Sequence, residues 1–262
     1  MVIFIIPARN EEENIDRLFS NLAAKTGKLG IGYRIILIND GSTDSTLKLA
    51  QGFKDKIPLE IIDFPEGKGV GEGFKAGFSR ALETAGDNDI IVTKEADNTS
   101  DLDILEAMLK EVNDGNDLVL ASCYAPGGKV VGTTLDRVVL SSAANTLLKL
   151  FFPIKGVNTY SSFYRAYRAG MLKKAFYAYD NRLIEYKGFI CMVELLINLN
   201  RLPIRIKEVP MILRCDFRKG KSKMNKSKTL LSYFGLIGKE VASSKAHLRD
   251  IIKRYENAQK DK

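Results

Sequence analysis

The feature that most constrains this chain is the rhythm of its first half, where short apolar runs alternate with helix-like stretches. Residues 2–6, 33–38, 59–64, 89–93 and 117–121 are strand-length apolar runs, and residues 12–24, 45–53, 73–85 and 102–112 between them have helical spacing. Runs without strict period-two patterning are strands buried on both faces, and strands that alternate with helices build a mostly parallel sheet flanked by helices. The fold class is therefore α/β and Rossmann-like. Ligands of such sheets bind at the carboxyl ends of the strands.

After Gly127-Gly128 the rhythm changes. Residues 137–152 have helical spacing, Leu195 falls in a further helix, and residues 205–210 read as a short strand. From Ser227 onward Leu230, Phe234, Ile237, Val241, Leu248 and Ile252 recur at helical spacing, which leaves one apolar stripe on an otherwise polar helix. These changes divide the chain into residues 1–226, themselves two halves (1–125 and 126–226), and a C-terminal amphipathic helix and tail (227–262).

A chain of 262 residues suffices for one large α/β domain with a helical appendage. No apolar stretch reaches the roughly 18 residues that a membrane-spanning helix requires. The apolar start is too short for a secretory signal and has no basic flank. Cys123, Cys191 and Cys215 lack metal-type spacing, so reduced thiols in a cytoplasmic protein are expected. The net charge of +8 is uneven. Acidic residues gather at Glu11 to Glu13, Asp40 to Asp44 and Glu95 to Asp103, and basic residues crowd Arg214 to Lys228. A cationic stripe beside an acidic pocket suits phosphate-bearing ligands or an anionic membrane face. Nucleic acid is disfavoured, since the stripe has few interleaved aromatics and matches no common module. The lone His247 lies in a charged helix, which leaves no histidine-based triad or zinc cluster.

The acidic clusters stand at three strand ends. In Pro7-Ala8-Arg9-Asn10-Glu11 the glutamate suits a helix start as well as a ligand. In Asp40-Gly41-Ser42-Thr43-Asp44, Ser42 or Thr43 can cap the next helix and Gly41 permits a tight turn, while Asp40 faces the expected crevice. In Thr93-Lys94-Glu95-Ala96-Asp97 two carboxylates, two residues apart, can project from a strand end toward one point. Magnesium ordinarily takes one or two carboxylates plus substrate phosphates. Gly71 to Ala76 fits a relaxed G-x-G-x-x-A pattern, but that fingerprint belongs in the first βα turn, which here is acidic. The glycine-rich segment is expected instead to be a turn in which Lys68 helps hold a nucleotide. Arg218-Lys219-Gly220-Lys221-Ser222-Lys223 is a compact cationic loop suited to phosphate.

In this order the first four motifs resemble the family-two inverting glycosyltransferases with a GT-A fold. Farther along, Gly127-Gly128, Arg137, Ser161-Ser-Phe-Tyr-Arg165, Glu194, Glu208-Val-Pro210 and Gly220-Lys-Ser-Lys-Met224 resemble the dolichyl-phosphate mannosyltransferase branch. The resemblance covers about residues 1 to 230. It implies transfer of a sugar from a GDP- or UDP-sugar to a polyprenyl or dolichyl phosphate, with Mg2+ or Mn2+ as cofactor. Residues 1–125 would bind the nucleotide sugar and residues 126–226 the acceptor. Pro7, Ala8, Arg9, Glu11 and Asp40 would serve the nucleoside; Lys68, Gly69, Ala96, Arg137, Arg165 and Ser222 would contact donor or acceptor. Glu95 and Asp97 would hold the metal, and Asp97, Arg218 and Lys223 would form the catalytic set.

Two departures stand out. Glu95 replaces the aspartate usual at the first metal position, and Asn158 stands where the branch carries an aspartate. Asn158 cannot act as a base. A phosphate acceptor is already anionic and needs none, whereas a hydroxyl acceptor would. The C-terminal stripe beside Lys221, Lys223, Lys226 and Lys228 suits peripheral contact with an anionic bilayer, and suits equally well packing on the catalytic domain or a partner subunit. A hydroxyl acceptor, a non-catalytic nucleotide-binding module and an NAD-linked oxidoreductase stand as alternatives. Base, sugar, lipid and oligomeric state are not legible.

Overall fold

The apolar runs form the frame of one sheet in the computed structural model, which describes residues 1–180, 182–220, 226–241 and 245–260, with backbone alone at 226–231, 241 and 260. In chain order the strands are β1 (Val2–Ala8), β2 (Tyr33–Asp40), β3 (Leu59–Phe64), β4 (Ile90–Thr93), β5 (Leu118–Ser122), β6 (Lys129–Val131), β7 (Arg165–Arg168), β8 (Ile206–Pro210) and β9 (Ile212–Arg214). The helices are α1 (Glu12–Lys28), α2 (Thr46–Gln51), α3 (Val70–Leu82), α4 (Leu105–Asn113), α5 (Leu135–Phe151), α6 (Ala169–Ala178), α7 (Cys191–Asn200), α8 (Lys226–Val241) and α9 (Lys245–Lys260).

Seven strands lie in the order β3-β2-β1-β4-β7-β5-β8, and β6 pairs with β9 in a small separate sheet. The pairings β1–β2, β1–β4, β2–β3 and β5–β8 are parallel, while β7 runs antiparallel between β4 and β5. The continuous apolar runs reflect burial on both faces. On one face Ile3, Ile5, Ile36, Ile38 and Ile91 pack with Phe74 and Phe78 of α3. On the other, Phe4, Ile6, Ile35, Leu37 and Val92 pack with Ile15, Leu18, Phe19 and Leu22 of α1. Each such side chain, fully buried, contributes about 1.5–3 kcal/mol.

The register brings the acidic strand ends together. Ala8 lies opposite Asn39, Asp40 opposite Phe64, and Thr93 opposite Ile5, so the carboxyl ends of β1, β2 and β4 share one edge.

Where the sequence predicts one C-terminal amphipathic helix, α8 and α9 are separate elements, and both pack on the main domain. Tyr233, Leu236, Ile251 and Tyr255 join the core that includes α3 and α6. The buried seam is offset from the predicted stripe, for Phe234 is 58% exposed while Tyr233 and Leu236 are buried. Lys239 bonds Glu185 at 2.6 Å and the fully buried Glu194 at 3.0 Å, and Arg201 pairs with the buried Glu240 at 2.6 Å. Among the described residues the most exposed large apolar side chains are on α5, where Leu135 is 78% and Leu150 76% exposed. Among the described residues no helix is long and apolar enough to cross a membrane.

Candidate active site

The turns after β1 and β2 hold each other through exchanged caps. The Asn10 backbone N–H donates to Ser42 Oγ at 3.0 Å, and the Thr43 N–H donates to Asn10 Oδ1 at 2.7 Å. Glu12 accepts from the Ser45 N–H at 2.8 Å, and Asp44 accepts from the Thr46 N–H at 2.9 Å. Ser42 or Thr43 was the expected cap of α2. Asp44 and Glu12 cap it instead, because Ser42 is engaged by the neighbouring turn. The buried Glu11 receives the Asn14 side-chain amide at 2.6 Å, and its own N–H donates to Thr46 Oγ1.

Asp40, also buried, closes the second strand end by accepting the N–H groups of Lys68 at 2.6 Å and Gly69 at 2.9 Å on one oxygen. It thereby fixes the glycine-rich turn. Lys68 is exposed, with its ammonium 4.5 Å from the centre of the Phe64 ring. The glycines here are packing devices. A Cβ at Gly71 would lie 1.9 Å from the Tyr186 carbonyl oxygen, one at Gly69 would lie 2.7 Å from that of Lys187, and Gly71 N–H donates to the same Lys187 oxygen at 2.9 Å. The segment is the expected turn, and its glycines at 69 and 71 admit the 186–187 backbone.

At the end of β4 the two expected metal carboxylates stand among polar partners. Half-buried Glu95 accepts from Ser100 Oγ at 2.7 Å. Buried Asp97 accepts from the Thr99 hydroxyl at 2.7 Å and, through its other oxygen, from Arg218 Nε at 2.7 Å and Nη2. Burial alone would raise the Asp97 pKa, but the Arg218 charge and the Thr99 bonds outweigh it and hold the carboxyl below its ordinary value. Beneath them Lys94, fully buried, donates to the Ser100 carbonyl at 2.9 Å and lies 5.4 Å from the Tyr164 ring centre. Burial pushes its ammonium pKa down, and Glu95, Asp97 and Asp101 pull the other way. Lys94 is thus a buried lysine anchored on a backbone carbonyl next to the two acids, to which sequence alone assigned no role. A cation set between an apolar strand and two acids was the available signal.

The cationic segment is pinned on both sides of Arg218. Phe217 lies between Arg17 and Arg214, at 4.4 and 4.1 Å, and the Lys219 carbonyl accepts from the Asn14 amide at 3.1 Å. Asn14 therefore ties the β1 end to this segment, which sequence reasoning missed. Pro7 and Arg9 flank Ala8 at the same strand end, with Arg9 exposed, and Ala8 and Ala96 are buried in the core on that side. Arg137, exposed in the first turn of α5, is near enough to affect the Cys215 thiol, whose pKa burial raises and Arg218 and Arg137 lower. Ser222 and Lys223 lie outside the described residues.

Arg165 is not a ligand contact. It is fully buried in β7, and its guanidinium donates to the carbonyls of Ser162, Met192 and Tyr160 at 2.7–2.8 Å. Three backbone acceptors, one for each guanidinium nitrogen, fix the turn ahead of β7. Asn158 is likewise held: its Nδ2 donates to Glu208 at 2.9 Å, its N–H donates to the other Glu208 oxygen at 2.7 Å, and Lys149 reaches its Oδ1 at 2.7 Å. The cysteines are free thiols, and burial raises the Cys123 pKa to about 11.

Among the described residues no three His, Cys, Asp or Glu side chains converge as a closed metal cage. Glu95 and Asp97, two residues apart at the end of β4, offer the oxygen donors that ions such as Mg2+ and Mn2+ take.

Acidic strand ends gathered at one edge of a mostly parallel sheet, facing a pinned cationic segment, define an α/β protein of the GT-A type. Residues 3–176 match the model of Glycosyl transferase family 2, and the chain belongs to that family. It is 28% identical over 233 residues to a dolichol-phosphate mannosyltransferase of Pyrococcus furiosus, covering 88% of this chain and 61% of that protein. It is 28% identical over 227 residues to a polyprenol monophosphomannose synthase of Mycolicibacterium smegmatis, covering 86% and 81%. Among solved structures, mannosyl-3-phosphoglycerate synthase from Rubrobacter xylanophilus superposes with a TM-score of 0.61 at 17% identity, over 99% of this chain and 75% of that one. Glucosyl-3-phosphoglycerate synthase from Mycobacterium tuberculosis in complex with Mn2+, UDP and phosphoglyceric acid gives 0.56 at 18%, over 97% and 78%. These structural likenesses establish the fold.

Proposed function

We propose that the protein is an inverting hexosyltransferase that moves a sugar from a GDP- or UDP-sugar to a polyprenyl phosphate. The observation that carries this reading is Arg218 paired with Asp97, a guanidinium suited to phosphate beside a carboxylate suited to a divalent cation. The names of the polyprenol- and dolichol-phosphate relatives support the acceptor.

The nucleoside would lie over the ends of β1 and β2, beside the turn that Asp40 fixes. Glu95 and Asp97 would hold a divalent cation, which when bound neutralises charge on the departing diphosphate. Arg218 would orient the diphosphate through its planar fork. In transfer an acceptor phosphate oxygen forms the bond to the anomeric carbon as the bond to the diphosphate oxygen breaks, and the electron pair leaves with the nucleoside diphosphate. An anionic acceptor needs no general base, which agrees with Asn158 being engaged by Glu208 and Lys149. The exposed apolar face of α5 suits peripheral contact with the membrane that carries such a lipid.

Thermal-shift measurements test the donor class, because a ligand that binds only the folded state raises its apparent stability. UDP or GDP with Mg2+ or Mn2+ should protect the protein. Protection by NAD and by neither nucleoside diphosphate would contradict the reading.

A further inference from the structure

Arg218 lies over the carboxylate that a divalent cation needs. Its Nε and Nη2 both take one Asp97 oxygen, and the Thr99 hydroxyl and N–H take the other. Glu95 is bonded to Ser100 and adds to the electrostatic hold on Arg218. A cation arriving alone must displace a guanidinium from a buried carboxylate and leave that partly buried guanidinium without a counter-charge, which is strongly unfavourable.

A cation arriving with a diphosphate meets a different balance. It takes the Asp97 oxygen while the guanidinium turns its fork to a phosphate, a group it pairs bidentately as it does a carboxylate. Cation replaces cation, anion replaces anion, and no buried charge is left alone. The backbone is set for this exchange. Phe217 is clasped between Arg17 and Arg214, and Lys219 is tethered to Asn14, so the Arg218 side chain can turn while its neighbours stay in place.

We propose that Arg218 is an exchange latch, which occupies Asp97 in the donor-free protein, keeps divalent-cation affinity low, and passes to the donor's diphosphate when metal and nucleotide bind together. The inference rests on the transferase reading for the identity of that diphosphate. It makes metal and nucleotide binding mutually dependent, as linkage requires.

The test is Mn2+ binding to the full chain, read from the electron paramagnetic resonance signal of free Mn2+, without nucleotide and with GDP or UDP. Wild type should bind Mn2+ weakly alone and on the order of tenfold more tightly with the fitting nucleoside diphosphate. Arg218→Gln should bind Mn2+ alone on the order of tenfold more tightly than wild type, with little further gain from nucleotide. Arg218→Lys, a point charge without the fork, should fall between, and it carries the same comparison if the glutamine variant does not fold. An Arg218 variant with Mn2+ affinity equal to or below wild type overturns the latch, as does a gain that persists when Asp97→Asn is added. Sugar transfer with unaltered Mn2+ affinity in Arg218→Gln contradicts the latch alone. The Mn2+ exchange without any sugar transfer contradicts the transferase reading alone.

Discussion

Asn14 and Lys219, 205 residues apart in the chain, are joined by the Asn14 amide donating to the Lys219 carbonyl at 3.1 Å. The same amide donates to Glu11 at 2.6 Å, so one buried side chain spans the end of β1 and the segment that carries Arg218. Replacing Asn14 with Ala should cost about 1–3 kcal/mol, the penalty of leaving buried partners unsatisfied. It should also raise the KM for the sugar donor more than it lowers kcat, because it loosens a positioning contact. Chemical denaturation and steady-state kinetics check this. A variant with wild-type donor KM would show that the tether does not position the segment.

Gly71 and Gly188 make a matched pair. A Cβ at Gly71 would lie 1.9 Å from the Tyr186 carbonyl oxygen, whereas one at Gly188 meets nothing within 4 Å. Gly71→Ala should destabilise the protein by about 1–3 kcal/mol through overpacking and weaken nucleotide binding by moving the turn that Asp40 fixes. Gly188→Ala should leave both near wild type. Thermal melts with and without nucleotide read the difference, and equal behaviour of the two variants would refute the packing role.

Introducing at position 158 the aspartate that the branch carries should not raise activity. Asn158 Nδ2 donates to Glu208 at 2.9 Å, so Asn158→Asp sets one carboxylate against another, a repulsion that Lys149, 2.7 Å from the Asn158 oxygen, offsets only in part. The expected loss is about 1–3 kcal/mol near neutral pH. Repulsion of this kind requires both groups ionised, so the loss should shrink as acid protonates one of them. Denaturant midpoints at neutral and acid pH test it, and a stabilised variant would contradict the arrangement.

The exposed face of α5 should carry membrane contact. Leu135→Asp with Leu150→Asp removes two exposed apolar side chains, each worth about 1.5–3 kcal/mol when buried in lipid, so vesicle binding should fall by roughly an order of magnitude or more. Flotation with anionic vesicles measures it, and unchanged flotation would move the contact elsewhere.

How much of this was legible in the sequence depended on the range of the interactions. β1, β2, β4 and β5 were readable because burial on both faces requires apolar runs, the half-buried edge strand β3 because Leu59, Ile61 and Ile62 stand between turns, and the acidic ends of β1, β2 and β4 followed from parallel connectivity. β7 was not, because a four-residue strand that inserts antiparallel between β4 and β5 leaves no local pattern. Arg165 misled and Lys94 was passed over for a related reason: residue type does not say whether a cation meets solvent, a ligand or buried carbonyls. Asn14 and Asn158 matter through partners far along the chain. The glycines at 69 and 71 were readable as conformationally special, but the backbone that approaches them arrives from residues 186–187.

The most direct test is to incubate the purified protein with labelled GDP- or UDP-sugars, Mg2+ or Mn2+, and either a polyprenyl phosphate or hydroxyl acceptors. The account predicts label on the lipid phosphate, with inverted anomeric configuration, lost when Asp97 is changed to Asn. Label transferred only to hydroxyl acceptors, or lipid labelling that survives Asp97→Asn unchanged, would contradict it.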